Sequence, residues 1–277
     1  MSSVLFDVPG PRARARHRLL TVGSALVALA LLGWVIWKLA QEGEFDAELW
    51  AAMAEPNITN AYVDGLVTTL SAAGTAIVLG VGFGALLAVA RLSDHRWVSL
   101  PARLFVEFFR AVPLLLLIVF VFFGLGLGLY WSLVVALVLY NGSVLAEVFR
   151  AGIEAVPRGQ SEAAYAIGMR KHQVMRLVLL PQSVRIMLPA IISQCVIILK
   201  DTSLGAIVAF FDLVAVSRNI AQFVNHSVVP LTIAAIIFIV INYSLSRLAI
   251  FLEAWLGRSS GGATTPPASA VTGPVAG

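Results

Sequence analysis

Residues 111–146 read AVPLLLLIVFVFFGLGLGLYWSLVVALVLYNGSVLA, 36 residues without a charged side chain. As one helix, at about 1.5 Å per residue, this run would measure roughly 54 Å. The hydrocarbon core of a bilayer is only about 30 Å thick. The run therefore reads as two membrane spans and a turn. Gly124-Leu125-Gly126-Leu127-Gly128 supplies the turn, because glycine weakens a helix and admits tight backbone geometry. Uncharged runs on either side repeat the pattern: 19 residues from Leu19 to Trp37, 26 from Gly65 to Ala90, Ile186 to Leu199 before Lys200-Asp201, and Asn219 to Ser246 with no Asp, Glu, Lys or Arg. Six spans follow, over about 19–39, 62–90, 104–124, 131–150, 184–208 and 229–252.

Composition agrees with this reading. The 277 residues are 59% hydrophobic and 12% charged, with a mean hydropathy of +0.91. Soluble domains carry about 25% charged residues, and disordered chains are polar. Both classes are excluded for the bulk of the chain, which leaves an all-α integral membrane protein. Cys195 is the single cysteine, so neither an intrachain disulfide nor a cysteine-built metal site can form.

Positive charge orients the spans, since Lys and Arg concentrate in cytoplasmic loops. Arg12, Arg14, Arg16 and Arg18 precede the first span, and Arg91, Arg96, Arg103 and Arg110 follow the second. Six more, from Arg150 to Arg185, lie between the fourth and fifth, and Arg247 and Arg258 flank the last. These 16 of the 19 basic residues fall on one side, so both termini are expected in the cytoplasm. The excess of basic residues is thus an orientation signal and gives no reason to invoke nucleic acid. The first span competes with a secretory signal peptide. Its apolar core exceeds the roughly 7–15 residues of such a signal and no A-x-A site follows, which favours a retained span.

The expected organisation is a basic N-terminal segment (1–18), an additional first span (19–39), an acidic loop (40–61), a membrane domain (62–256) and a tail (257–277). The acidic loop holds Glu42, Glu44, Asp46, Glu48 and Glu55. From Ser259 on, Gly, Ser, Thr, Pro and Ala dominate, and a flexible tail is expected.

One long loop, 151–183, stands on the basic side. Pro157-Arg158-Gly159 marks a turn. Ser161 is placed to cap a short helix, with Glu162 in its first turn and Ala163 to Ile167 as its body. Gly168 is placed to stop it. A helix of about two turns is marginal alone and needs a partner surface. A second amphipathic run, Arg170 to Leu180, is expected to end at Pro181. Periodicity leaves two readings open, a hairpin lying on the membrane surface or an element that docks on a partner.

Glu162-Ala163-Ala164, three residues, Gly168, nine residues, Val178, one residue and Leu180-Pro181 resemble the EAA loop of ABC importer permeases. Gly159-Gln160 before it, Pro181-Gln182, Leu188-Pro189 and Lys200-Asp201-Thr202-Ser203-Leu204 resemble the polar amino acid branch of that family. Phe109-Arg110-Ala111-Val112-Pro113 and Tyr140-Asn141-Gly142-Ser143 depart from most of that branch and resemble its actinobacterial glutamate-type members. The resemblance covers about residues 62–256. It implies a type I permease fold and a coupling helix in which Gly159, Gln160, Glu162, Ala163, Ala164, Gly168, Leu180 and Pro181 meet an ATPase. It also implies a dimer of ATP-binding subunits that carry ATP and Mg, a second permease subunit and an extracytoplasmic amino-acid-binding protein. The additional first span resembles the longer member of a heterodimeric permease pair.

Catalytic chemistry is missing from the chain itself. Its three lysines, Lys38, Lys171 and Lys200, follow Trp37, Arg170 and Leu199, whereas a P-loop needs glycine before its lysine. The four histidines are scattered, and neither H-E-x-x-H nor G-x-S-x-G occurs. A non-catalytic subunit without a cofactor of its own is expected. Ionisable residues inside spans are costly and so suspect. Arg110 and Glu147 either snorkel at the inner interface or serve the path. Lys200 and Asp201 lie deeper, and their place in the family motif implies a role at the translocation path or gate. The competing function is a secondary transporter or channel that needs no ATPase, although no repeat relates the two halves. A membrane enzyme is disfavoured by the missing motifs. Gly80 and Gly84 read as close packing within the subunit rather than as a dimer seam.

Overall fold

Pro113 breaks the 36-residue uncharged run once, and Gly126 breaks it again. In the computed structural model, which describes residues 10–258, α4 (Arg96–Ala111) ends where Val112 turns extended (φ −76°, ψ 128°), as the residue before a proline prefers. α5 (Leu114–Leu125) then leaves at 104° to α4. The expected span 104–124 is therefore two helices. α5 alone has 12 residues, about 18 Å, too short to cross a bilayer. Gly126 and Gly128 adopt φ of 62° and 75°, so the second break falls within the glycine run as expected.

Most of the other helices exceed their expected spans, but in the span expected over 184–208 the α-helix stops at Asp201. α1 (Pro11–Gln41) includes Arg12 to Arg18 in its first turns, α2 (Ala47–Met53) occupies the acidic loop, and α3 (Pro56–Arg91) begins before residue 62. α6 (Gly128–Glu154) is followed by α7 (Arg158–Ala166) and by α8 (Lys171–Gln173), which runs through a π-helical segment (Val174–Leu179) into α9 (Leu180–Asp201). A 3₁₀ segment (Thr202–Val208), α10 (Leu213–Val224) and α11 (Val228–Arg258) complete the order. Every regular element among the described residues is helical. Five helices are long and apolar enough to cross a membrane, or six if the bent α4–α5 pair is one span. The tail expected from residue 257 lies outside the described residues, except that Gly257 and Arg258 continue α11.

Several local expectations change. Pro181 does not end its helix. It sits in the first turn of α9, where a missing N–H needs no partner, just past the π segment. Pro189, of the Leu188-Pro189 pair, lies inside α9. The loop 151–183 shrinks because α6 reaches Glu154 and α8 starts at Lys171. Gly152 lets α6 extend against α9: a Cβ there would stand 2.9 Å from Met187 Cβ.

The core lies between α3, α5, α6 and α9, where Ile118, Leu133, Leu137 and Ile198 are fully buried. α3 and α6 cross at their glycines. A Cβ on Gly84 would stand 2.8 Å from the Gly142 carbonyl, so this G-x-x-x-G packs within the chain. α10 docks on α3, with the Leu213 N–H donating to Thr69 Oγ1 at 3.0 Å and Asp212 capping it by accepting from Ala215 N–H at 2.8 Å. α1 is exposed along its apolar length, as an all-round apolar helix in lipid would be. The loop after it is tied down by Glu44, which is 5% exposed. Its carboxylate accepts from the N–H groups of Val228 and Val229 at 3.4 and 3.3 Å, an acid at the positive end of α11.

Candidate functional site

Nine residues form α7, and among them only Ala164 is buried. The helix begins at Arg158 behind Pro157, three residues before the expected cap. Ser161 is thus inside it, donating to the Arg158 carbonyl at 2.8 Å. Its end is as expected. Gly168 takes φ +85°, its N–H donates to the Tyr165 carbonyl at 2.9 Å, and the Met169 N–H donates to the Ala164 carbonyl at 3.2 Å. That paired pattern is a Schellman motif, which needs a residue able to adopt positive φ. Ala164 turns inward, and α7 packs on the π segment. Gly159, Gln160, Glu162 and Ala163 stay exposed, as do Tyr165 and Ile167.

The structure brings part of the expected set together. Gln182 Nε2 donates to Gln160 Oε1 at 3.3 Å and to the Val178 carbonyl at 3.0 Å, which braces α7 against the start of α9. Leu180 and Pro181 are exposed on α9, and Leu180 lines a cavity shared with the α3–α4 turn. Beside that cavity Lys171 pairs with Asp94, whose carboxyl is held below its ordinary value by this hydrogen bond.

The four ionisable residues singled out within spans separate into two polar layers. In the first, Glu147 on α6 accepts from Arg91 at 2.5 Å, pairs with Arg150, and has Arg110 at 3.8 Å; Arg150 also pairs with Glu154. One carboxylate thus gathers three guanidinium groups from α3, α4 and α6. In the second layer Asp201 accepts from Asn141 Nδ2 at 3.4 Å, and Asn141 Oδ1 accepts from Gln194 Nε2 at 2.6 Å. Asn141 is fully buried, so satisfying both ends of its amide matters. The layers are six residues apart on α6, about 9 Å. Lys200 joins neither. It is exposed, makes no ion pair among the described residues, and lines a cavity of about 400 Å³ with Ser203, Val214, Phe238, Ile239 and Asn242.

Arg91, Arg150 and Gln194 were missed as partners. The two arginines carried an orientation signal that hid their pairing. Gln194, a neutral polar residue inside an apolar run, was a signal that could have been read. Asp212 was also missed, because α10 was not expected. No cluster of three or more His, Cys, Asp or Glu able to hold a metal occurs among the described residues.

The family model for binding-protein-dependent transport system inner membrane components matches residues 80–258. The chain is 35% identical over 224 residues to the glutamate transport system permease protein GluD of Corynebacterium glutamicum, covering 78% of this chain and 82% of that one. It is 35% identical over 204 residues to the glutamate/aspartate import permease protein GltK of Escherichia coli, covering 69% and 91%. Among solved structures it is similar to a chain of an amino acid ABC transporter crystallised with histidines, with a TM-score of 0.68, 30% identity, and coverage of 72% of this chain and 95% of that one. It shares its fold with the MetNI methionine ABC transporter, with a TM-score of 0.61, 18% identity, and coverage of 72% and 98%. The chain belongs to the binding-protein-dependent transport system inner membrane components and is a permease subunit of an ABC importer.

Proposed function

We propose that this permease moves polar amino acids, glutamate or a close relative, inward across a bacterial cell membrane, with α7 as its coupling helix. A dimer of ATP-binding subunits binds and hydrolyses ATP with Mg on its own chains. α7 docks in a groove on that dimer through Gly159, Gln160, Glu162, Ala163 and the segment up to Gly168. A second permease subunit, different from this chain, completes the pathway, and an extracytoplasmic amino-acid-binding protein delivers the substrate. Both termini and α7 are cytoplasmic, since the basic residues collect at that end. The membrane domain is 62–256 and the span at 19–39 is an addition to it.

The observation that carries this reading is α7 itself. It has nine residues, one of them buried, and packs on the π segment rather than on the core. Such a helix is stable only against something. Its end is fixed by Gly168 and its side by Gln160–Gln182, so a push on α7 is delivered to α9. α9 carries Gln194 and Asp201, and through Asn141 it reaches α6 and the Glu147 layer. Arg110, Glu147, Lys200 and Asp201 then belong to the path or its gate, where alternating access needs polar contacts that exchange.

Affinity purification of the tagged chain from native membranes, followed by mass spectrometry and uptake in proteoliposomes, tests this. The expected result is a P-loop ATPase, a second permease, and ATP-dependent glutamate uptake once binding protein is added. Ion-driven uptake by the chain alone would contradict it.

A further inference from the structure

We propose that the cavity of about 660 Å³ between the α3–α4 turn and residues 170–180 binds the headgroup of an anionic phospholipid, next to an α4 that lies in the membrane surface. The proposal rests on the reading that α7 is cytoplasmic. Two observations carry it.

The first is the chemistry of the cavity. Its lining includes His95, Arg170, Lys171 and His172, together with Asp94. Lys171 is taken up by Asp94, while His95, Arg170 and His172 form no ion pair among the described residues. The rest of the lining is largely apolar, from Val89 near the end of α3, Leu92, Ile153 near the end of α6, Met175 and Leu180. The apolar side chains offer a free polar metabolite no hydrogen-bond partner. An anionic amphiphile matches both parts of the lining, with phosphate at the basic residues and its glycerol and upper acyl carbons against the span ends. Basic pockets between spans on the cytoplasmic side suit anionic headgroups for this reason.

The second is α4, which starts at this cavity with His95 as its N-cap. At 100° per residue its side chains fall into three sectors. Ala102 and Val106 are buried and Phe105 packs on Phe83, so one sector faces the protein. Trp97, Leu100, Leu104 and Phe108, spaced by three, four and four, form an exposed apolar stripe, with Trp97 93% exposed. Arg96, Ser99, Arg103, Glu107 and Arg110 fill the narrow polar sector between them. The 104° bend at Pro113 sets α4 nearly across the direction of α5. A basic helix with a Trp- and Leu-bearing face, set crosswise to the apolar helix that follows it, lies in the interface with its apolar face in the acyl region.

Residues 170–172 begin two positions after Gly168, so a headgroup held there steadies the return leg of α7. Occupancy is expected to raise coupling between ATP hydrolysis and transport.

The test is native mass spectrometry of the purified transporter complex from nanodiscs of phosphatidylcholine with increasing phosphatidylglycerol. The wild type retains phosphatidylglycerol. The double variant Arg170→Gln/His172→Gln retains it with affinity reduced about fivefold or more. Met175→Trp, which fills the apolar part of the lining and leaves the charges, has the same effect. Arg16→Gln/Arg18→Gln, on α1, changes nothing. Coupled ATPase activity rises with phosphatidylglycerol in the wild type and not in the first two variants. Equal retention by wild type and cavity variants overturns the proposal. So does displacement of the lipid by millimolar inorganic phosphate, which assigns the site to a free anion. Whether an ATPase co-purifies is read in the same spectra, so failure of the importer reading is seen separately from failure of the lipid site.

Discussion

The Glu147 carboxylate accepts from the Arg91 guanidinium at 2.5 Å and joins α6 to the last residue of α3. Arg91 is 9% exposed at its side chain, so the pair is shielded from the screening that weakens surface ion pairs. Arg150 and Arg110 complete the cluster.

Removing the carboxylate shared by three guanidinium groups leaves Arg91 and Arg110 without their acid, while Arg150 keeps Glu154. Glu147→Gln should lower stability by roughly 1–3 kcal/mol, the cost of leaving charged groups unsatisfied. Thermal unfolding of the purified transporter reads this. Arg91→Gln combined with Glu147→Gln should lose less than the sum of the two single changes, as coupled residues do. Additive losses would show that the pair is energetically idle.

The α3–α6 crossing predicts a position-specific steric effect. A side chain at Gly84 meets the Gly142 carbonyl at 2.8 Å, while nothing lies within 4 Å of a Cβ at Gly82. Gly84→Val should cost about 1–3 kcal/mol, through overpacking against backbone that cannot rotate away. Gly82→Val should be close to neutral. Melting temperatures of the two variants check this, and equal effects would refute the crossing.

Gly168 sits at φ +85° in open space, so a substitution there is opposed by backbone conformation and not by a clash. Gly168→Val should cost about 1–2 kcal/mol locally, enough to disorder a two-turn helix end. Gly168→Asn should be milder, since Asn tolerates positive φ. Uptake should fall in the order glycine, asparagine, valine, with membrane insertion unchanged in immunoblots of the membrane fraction.

The Asp94–Lys171 tie has a defined pH dependence. The carboxyl is depressed in the folded protein, so its contribution is fully present above the ordinary value of 3.8 and is lost as pH falls through the depressed one. Asp94→Asn should therefore melt below the wild type by a constant margin from pH 7 to about pH 5, and the margin should close only under strong acid. Parallel melts across that range measure it. A margin that closes between pH 7 and pH 5 would contradict the pairing.

The all-helical membrane class, the spans at α3, α6 and α11, and the glycine turn were legible because each rests on local composition and length. The stop at Gly168 was legible because only a local backbone conformation decides it. Pro113 was ambiguous, since a proline in an apolar run can open a helix or kink one, and the 104° bend depends on what α4 packs against. Pro181 misled because a π segment, invisible in the pattern, lets the helix pass it. The two polar layers were half legible. Glu147 and Asp201 are conspicuous in apolar surroundings, but their partners Arg91 and Asn141 lie 56 and 60 residues away, and only folding brings them together.

The central claim is that α7 is the contact with the ATPase. Cysteine cross-linking tests it most directly, in a Cys195→Ser background that leaves no other thiol on the chain. With Ile167→Cys, which places the thiol on an exposed position at the end of α7, a short bifunctional reagent in native membranes should yield an adduct with a P-loop ATPase. Phe120→Cys, on the exposed face of α5, should yield none. An ATPase adduct that forms equally at both positions, or at neither while the complex stays intact, would contradict the account.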